Sequence, residues 1–110
     1  MKITSQEEQG ISIFILDGRV DSEGAVDLDL ALQAATAEDK SKLILDMANV
    51  RYLNSAGLRT LADILTQCRD SGGDLKLAAL NPKVQRVFQI IGFDKFFNIY
   101  PSIADAKKDF

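Results

Sequence analysis

Apolar residues along the chain recur with two periods, and the changes from one to the other mark its elements. Ile11 to Leu16 reads Ile-Ser-Ile-Phe-Ile-Leu between Gly10 and Gly18. Such a β-branched and aromatic run predicts a strand with most of both faces buried. A weaker strand around Ile3, set off by the polar stretch Gln6 to Gln9, is its natural antiparallel partner. Beyond Asp21 and Ser22, either of which can cap a helix, Leu28, Ala31, Leu32 and Ala35 take the i, i+3, i+4, i+7 spacing of an amphipathic helix ending near Asp39.

Leu43-Ile44-Leu45 predicts a short buried strand, then a turn around Ala48-Asn49 and a segment Val50 to Leu53. The next helix is the clearest: Leu58, Leu61, Ala62 and Leu65 form one stripe, and Gly72-Gly73 supplies the positive φ a helix end often needs. Leu75 to Leu80 predicts a strand. Asn81-Pro82 predicts a cap with proline in the first turn, opening a helix through Val84, Val87, Phe88 and Ile91 that stops at Gly92. Phe96 to Tyr100 is a last strand candidate, and Ser102-x-x-Asp105 has the form of a capping box opening a short final helix. The order β-β-α-β-α-β-α-β-α implies right-handed crossovers. The expected fold is therefore a single α/β domain over residues 1–110, with a small mixed, mainly parallel sheet backed by about four helices.

Composition narrows the function. With 46% hydrophobic and 26% charged residues in 110, there is enough apolar material for one core and no case for disorder. Net charge is -3, and 13 basic residues are scattered among 16 acidic ones, which disfavours direct nucleic-acid binding because several phosphates must be neutralised together. Cys68 is the one cysteine and the opening Met-Lys-Ile-Thr is not a charged n-region leading into an apolar one, so a cytoplasmic protein is expected. No apolar run approaches bilayer length, so membrane insertion is not expected. Histidine is absent, which removes the commonest general base and metal ligand. No metal, no cofactor and no enzymatic activity are expected.

Ser55 is the residue that composition does not absorb. As a nucleophile it has no base except Lys, Asp and Glu, and Gly-x-Ser-x-Gly fails because position 53 is Leu. Asn54 or Ser55 would serve as a helix cap. Capping alone leaves unexplained why Asn54-Ser55-Ala56-Gly57 is small throughout, with a glycine in the first turn. Small residues at a helix start also leave the backbone open to close approach by another molecule, so capping alone and capping with recognition both stand on the residues.

The segment Asp46-Met-Ala-Asn-Val-Arg-Tyr-Leu-Asn-Ser-Ala-Gly-Leu-Arg-Thr-Leu61 resembles the signature of STAS domains of the anti-sigma factor antagonist type. Leu16-Asp-Gly-Arg-Val-Asp21, and Asn81 to Phe88 with Ile91-Gly-Phe93, resemble further family elements in the family's order. The resemblance implies a partner-switching regulator that binds an anti-sigma factor, often a serine kinase, until the motif serine is phosphorylated; a serine phosphatase restores binding. Ser55 occupies that serine's position. The implied docking surface comprises Asp21 and Ser22, then Asn54, Ser55, Ala56, Gly57, Arg59 and Thr60, and Phe93. Asn54 stands where the best-known phosphorylatable members carry aspartate, which keeps the cap and removes a charge. A STAS scaffold or accessory subunit of a sensory or lipid-transport assembly is the alternative.

Overall fold

A computed structural model describes residues 1–110. Five strands, β1 (Lys2–Glu8), β2 (Ile11–Val20), β3 (Lys42–Leu53), β4 (Asp74–Ala78) and β5 (Asn98–Tyr100), form one sheet in sequence order. The β1–β2 pair is antiparallel and the other three pairs are parallel. Helices α1 (Ser22–Ala37), α2 (Ser55–Asp70) and α3 (Pro82–Ile91) make the crossovers, and α4 (Ile103–Lys108) closes the order. The expected sequence of elements and mixed sheet are both present.

Strand alternation divides the core. Phe14 and Leu16 of β2, Leu43 and Leu45 of β3, and Leu75 and Leu77 of β4 face the three crossover helices, where Leu28, Leu32, Leu61, Ile64 and Phe88 complete the main cluster. Ile11, Ile13, Ile44 and Ala78 point the other way and are covered by Ala106 of α4. Lys76 shares that second face and is buried. Its ammonium donates to the Ala106 carbonyl at 3.2 Å and lies 3.8 Å from the Phe110 ring centroid. Removal from water lowers its pKa.

Three expectations need correction. First, Ala48-Asn49 is not a turn: β3 runs unbroken through it. Opposite β2, Ile15 pairs with Asp46 but Asp17 with Asn49, and Gly18 with Val50 but Arg19 with Tyr52. Each step inserts one extra residue into β3, a β-bulge that reverses which face the next side chain occupies. Met47, Val50 and Leu53 are therefore all buried at intervals of three, a spacing that mimics a break in the strand. The Asp46 carboxylate accepts from the Ala48 N–H at 3.0 Å, fixing the first bulge.

Second, strand limits shift. The polar stretch Gln6 to Glu8 belongs to β1, whose solvent-facing edge needs no apolar residues, and the hairpin turns on Gln9 and Gly10, both with positive φ. β4 stops at Ala78 rather than Leu80, because Ala79 takes a φ of 62°. Third, the last strand begins at Asn98 rather than Phe96. A 3₁₀ turn at Phe93–Lys95 precedes β5 and leaves Phe96 60% exposed, while Phe88 and Phe97 are buried and meet edge to face with ring centroids 5.6 Å apart. Arg69 of α2 holds this segment, donating to the Phe96 carbonyl at 2.6 Å and to Asp74 at 3.0 Å.

Cys68, on the buried stripe of α2, is fully enclosed, and burial pushes its thiol from an ordinary 9.0 up to about 11. The fold favours the protonated thiol, so the associated stability is present below pH 9 and is lost as pH rises from 9.0 toward about 11. Two outcomes are expected. Iodoacetamide at pH 8 labels Cys68 only as fast as the protein unfolds. In thermal melts between pH 9 and 11, Cys68→Ala loses stability less steeply than the native sequence.

Candidate functional site

The candidate site lies where β2 and β3 both end and hand over to helices. Val20 pairs with Leu53 across the parallel strands. One residue on, the Asn54 N–H donates to the Val20 carbonyl at 2.9 Å, so the starts of α1 and α2 are tied side by side. Each start is capped by its own side chain. Asp21 accepts from the Gly24 N–H at 2.9 Å, and Asn54 accepts from the Gly57 N–H at 3.0 Å. These bonds satisfy N–H groups that a helix start otherwise leaves free.

The caps decide what Ser55 is for. Because Asn54 caps α2, the Ser55 side chain is not needed to start the helix; Ser55 occupies its first position and is exposed. Ala56 beside it is exposed as well. Gly57 is different: it is buried, and a Cβ there would lie 2.5 Å from Val20 Cγ1 and 2.7 Å from Leu53 Cδ1. The glycine in the first turn is thus required by the protein's own core, and openness to another molecule belongs to Ser55 and Ala56 alone. Gly24 of α1 follows the same rule, its position crowded by the Arg19 carbonyl and the Asp21 carboxylate.

In front of the two capped starts is a shallow groove of about 580 Å³. Its α2 wall carries Ser55, Ala56, Arg59 and Thr60; its α1 wall carries Ser22, Ala25, Val26, Asp29 and Leu30. Arg59 is four residues beyond Ser55 and so on the same helix face, outside any ion pair of the chain. Val26 is 58% exposed and Leu30 65%, large for aliphatic side chains one turn apart. One residue before the strand ends, the exposed Arg19 guanidinium stacks 4.4 Å from the Tyr52 ring centroid. No three His, Cys, Asp or Glu side chains gather as metal ligands anywhere in the structure.

Comparison with known proteins matches the STAS domain model over residues 2–106. BtrV of Bordetella bronchiseptica, whose name places it among anti-sigma factor antagonists, is 35% identical over 99 residues, covering 90% of this chain and 85% of BtrV. The chain belongs to the STAS domain family, among the anti-sigma factor antagonists. A crystal structure of an anti-sigma factor antagonist from Mycobacterium paratuberculosis superposes on this STAS domain with a TM-score of 0.89 at 28% identity, over 98% of this chain and 92% of that one. The Bacillus protein SpoIIAA in its phosphorylated form shares the fold, with a TM-score of 0.77 at 14% identity over 98% of each chain.

Of the residues singled out in the sequence, Ser22, Ser55, Ala56, Arg59 and Thr60 converge on the groove of this STAS domain, and Asp21 and Asn54 frame it as caps. Phe93 does not join them. It lines a separate cleft of about 180 Å³ with Leu65 and Arg69, on the later turns of α2. Val26 and Leu30 were missed. Their signal is present: α1 carries apolar residues at Val26, Leu28, Leu30 and Leu32, and Leu28, Leu32 and Ala35 already account for the buried stripe. Val26 and Leu30 are surplus to the core.

The cap and the glycine can be tested separately. Asn54→Ala is expected to cost about 1 kcal/mol in urea unfolding, while Asn54→Asp retains the native midpoint. Gly57→Ala is expected to cost about 1–3 kcal/mol by overpacking against Val20 and Leu53.

Proposed function

We propose that this protein is a cytoplasmic partner-switching anti-sigma factor antagonist: it binds an anti-sigma factor that is also a serine kinase while Ser55 is unmodified, and releases it when Ser55 is phosphorylated. A serine phosphatase resets the switch. The observation that carries this reading is Ser55 itself, exposed at the first position of α2, freed from capping by Asn54, and set at the edge of a groove whose α1 wall presents Val26 and Leu30 beside Ser22 and Asp29. The names of relatives such as BtrV supply the partner class, and the phosphorylated form of the Bacillus structural neighbour supports the modification.

Charge and packing supply the mechanism. A phosphoserine carries about -1.5 to -2 charges. At the start of α2 it meets the positive end of the helix dipole, and Arg59 stands one turn further along the same face. The domain therefore accommodates the anion. A partner packed over Ser55 and Ala56, with apolar side chains against Val26 and Leu30, must instead desolvate it or retreat. Burying unpaired charge or apposing like charges at an interface costs several kcal/mol, enough to weaken binding by about 10²-fold or more.

Incubation with the candidate kinases of the same genome and ATP is expected to add one phosphate, mapping to Ser55 by peptide mass spectrometry, with loss of the kinase complex. A stable complex in which Ser55 is never modified would instead favour a scaffold role. Val26→Asp and Leu30→Asp are each expected to weaken the unphosphorylated complex at least about tenfold, read by calorimetry. Because both side chains already face solvent, the unfolding free energy should change by no more than about 0.5 kcal/mol.

A further inference from the structure

The outer faces of α1 and α3 are complementary to one another. On α3, Lys83, Arg86 and Ile90 are exposed at i, i+3 and i+7, with half-buried Val87 filling i+4. That stripe is cationic in its first turn and aliphatic in its last, with Ile90 71% exposed and Ile91 beside it 44%. Helix α3 contains no acidic residue, and neither Lys83 nor Arg86 takes part in an ion pair within the chain.

On α1, Glu23, Val26, Asp27 and Leu30 repeat the same i, i+3, i+4, i+7 spacing on the exposed side. This stripe begins anionic, becomes aliphatic, and continues through exposed Ala34 and Ala37. Helix α1 contains no basic residue, and Asp27 makes only an exposed contact of 3.4 Å with the amino terminus. Laid parallel, the two stripes set Lys83 and Arg86 against Glu23 and Asp27, and Val87 and Ile90 against Val26 and Leu30. Antiparallel packing would place charge on aliphatic surface at both ends.

Within one molecule these faces cannot meet. The crossovers follow the strand order, so α2 lies between α1 and α3, and α1 packs on α2. We propose that the α3 face is a docking surface for the α1 face of a second copy of this chain, giving a head-to-tail association. Such a contact uses two different patches, so unless the reciprocal contact forms between the same two copies and closes a dimer, it extends with concentration. One helix pair is a small interface, which makes the association weak. Its charged half makes it sensitive to salt. If the groove is the anti-sigma factor site, as proposed above, stacking covers Val26 and Leu30 and competes with that partner.

Sedimentation of the pure protein tests the contact without any partner, so its failure and that of the switching proposal are separable. At low salt the weight-average mass is expected to rise from 12.1 kDa to at least about twice that value as concentration approaches about 1 mM, and to return toward 12.1 kDa at about 0.5 M salt. Lys83→Glu with Arg86→Glu in one protein, and Glu23→Lys with Asp27→Lys in another, should each weaken self-association at least about tenfold. All four positions are exposed, and unchanged circular dichroism confirms the fold. An equimolar mixture of the two variants should regain the lost mass, because reversed faces are again complementary. A native protein that stays at 12.1 kDa at every concentration would overturn the proposal. So would a dimer indifferent to both reversals, a mixture that fails to recover, or reversal at α3 that abolishes only anti-sigma factor binding.

Discussion

One backbone hydrogen bond, from the Asn54 N–H to the Val20 carbonyl at 2.9 Å, sets the geometry on which the site depends. It extends the β2–β3 ladder by one residue at the point where both strands give way to helices. Two helix starts, at Ser22 and Ser55, that are 33 residues apart in the sequence thereby become neighbours. The caps at Asp21 and Asn54 and the close packing at Gly24 and Gly57 then fix each start on the strand ends below it. Ser55 is what remains: a hydroxyl presented by a rigid frame, with no part in holding that frame together.

That separation of duties matters for a switch. A modified residue that also capped its helix would change the fold whenever it changed charge. Here Asn54 does the capping and Ser55 carries the proposed modification, so a phosphate acts on what lies in front of the helix. Asparagine in place of aspartate also leaves no formal charge on the capping side chain, which lowers the repulsion a phosphate on the next residue would meet.

Local chemistry was legible in the sequence and long-range pairing was not. Asn54, Asn81 and Ser102 act on amides three residues away, and all three caps form. The order of elements followed from periodicity for the same reason. The bulges of β3 could not be read, because they exist only in relation to β2; alone, buried residues at Met47, Val50 and Leu53 look like a turn. Nor could Asn81 be seen to donate to the Val50 carbonyl at 2.8 Å, tying the start of α3 to the second bulge. The site was half legible. The motif around Ser55 stood out, whereas the α1 wall became visible only once the core had used Leu28 and Leu32 and left Val26 and Leu30 outside.

The most direct test of a switch that alters the surface and spares the fold is amide hydrogen exchange on the unmodified and Ser55-phosphorylated protein, resolved at Gly24, Gly57 and Leu58. Their N–H groups report the two caps and the first helical bond of α2, from Leu58 to the Asn54 carbonyl at 3.0 Å. Retained or increased protection at all three after phosphorylation is the expected result. Loss of protection spreading through the first turn of α2 would mean that the phosphate works by melting the helix start, and would contradict the account.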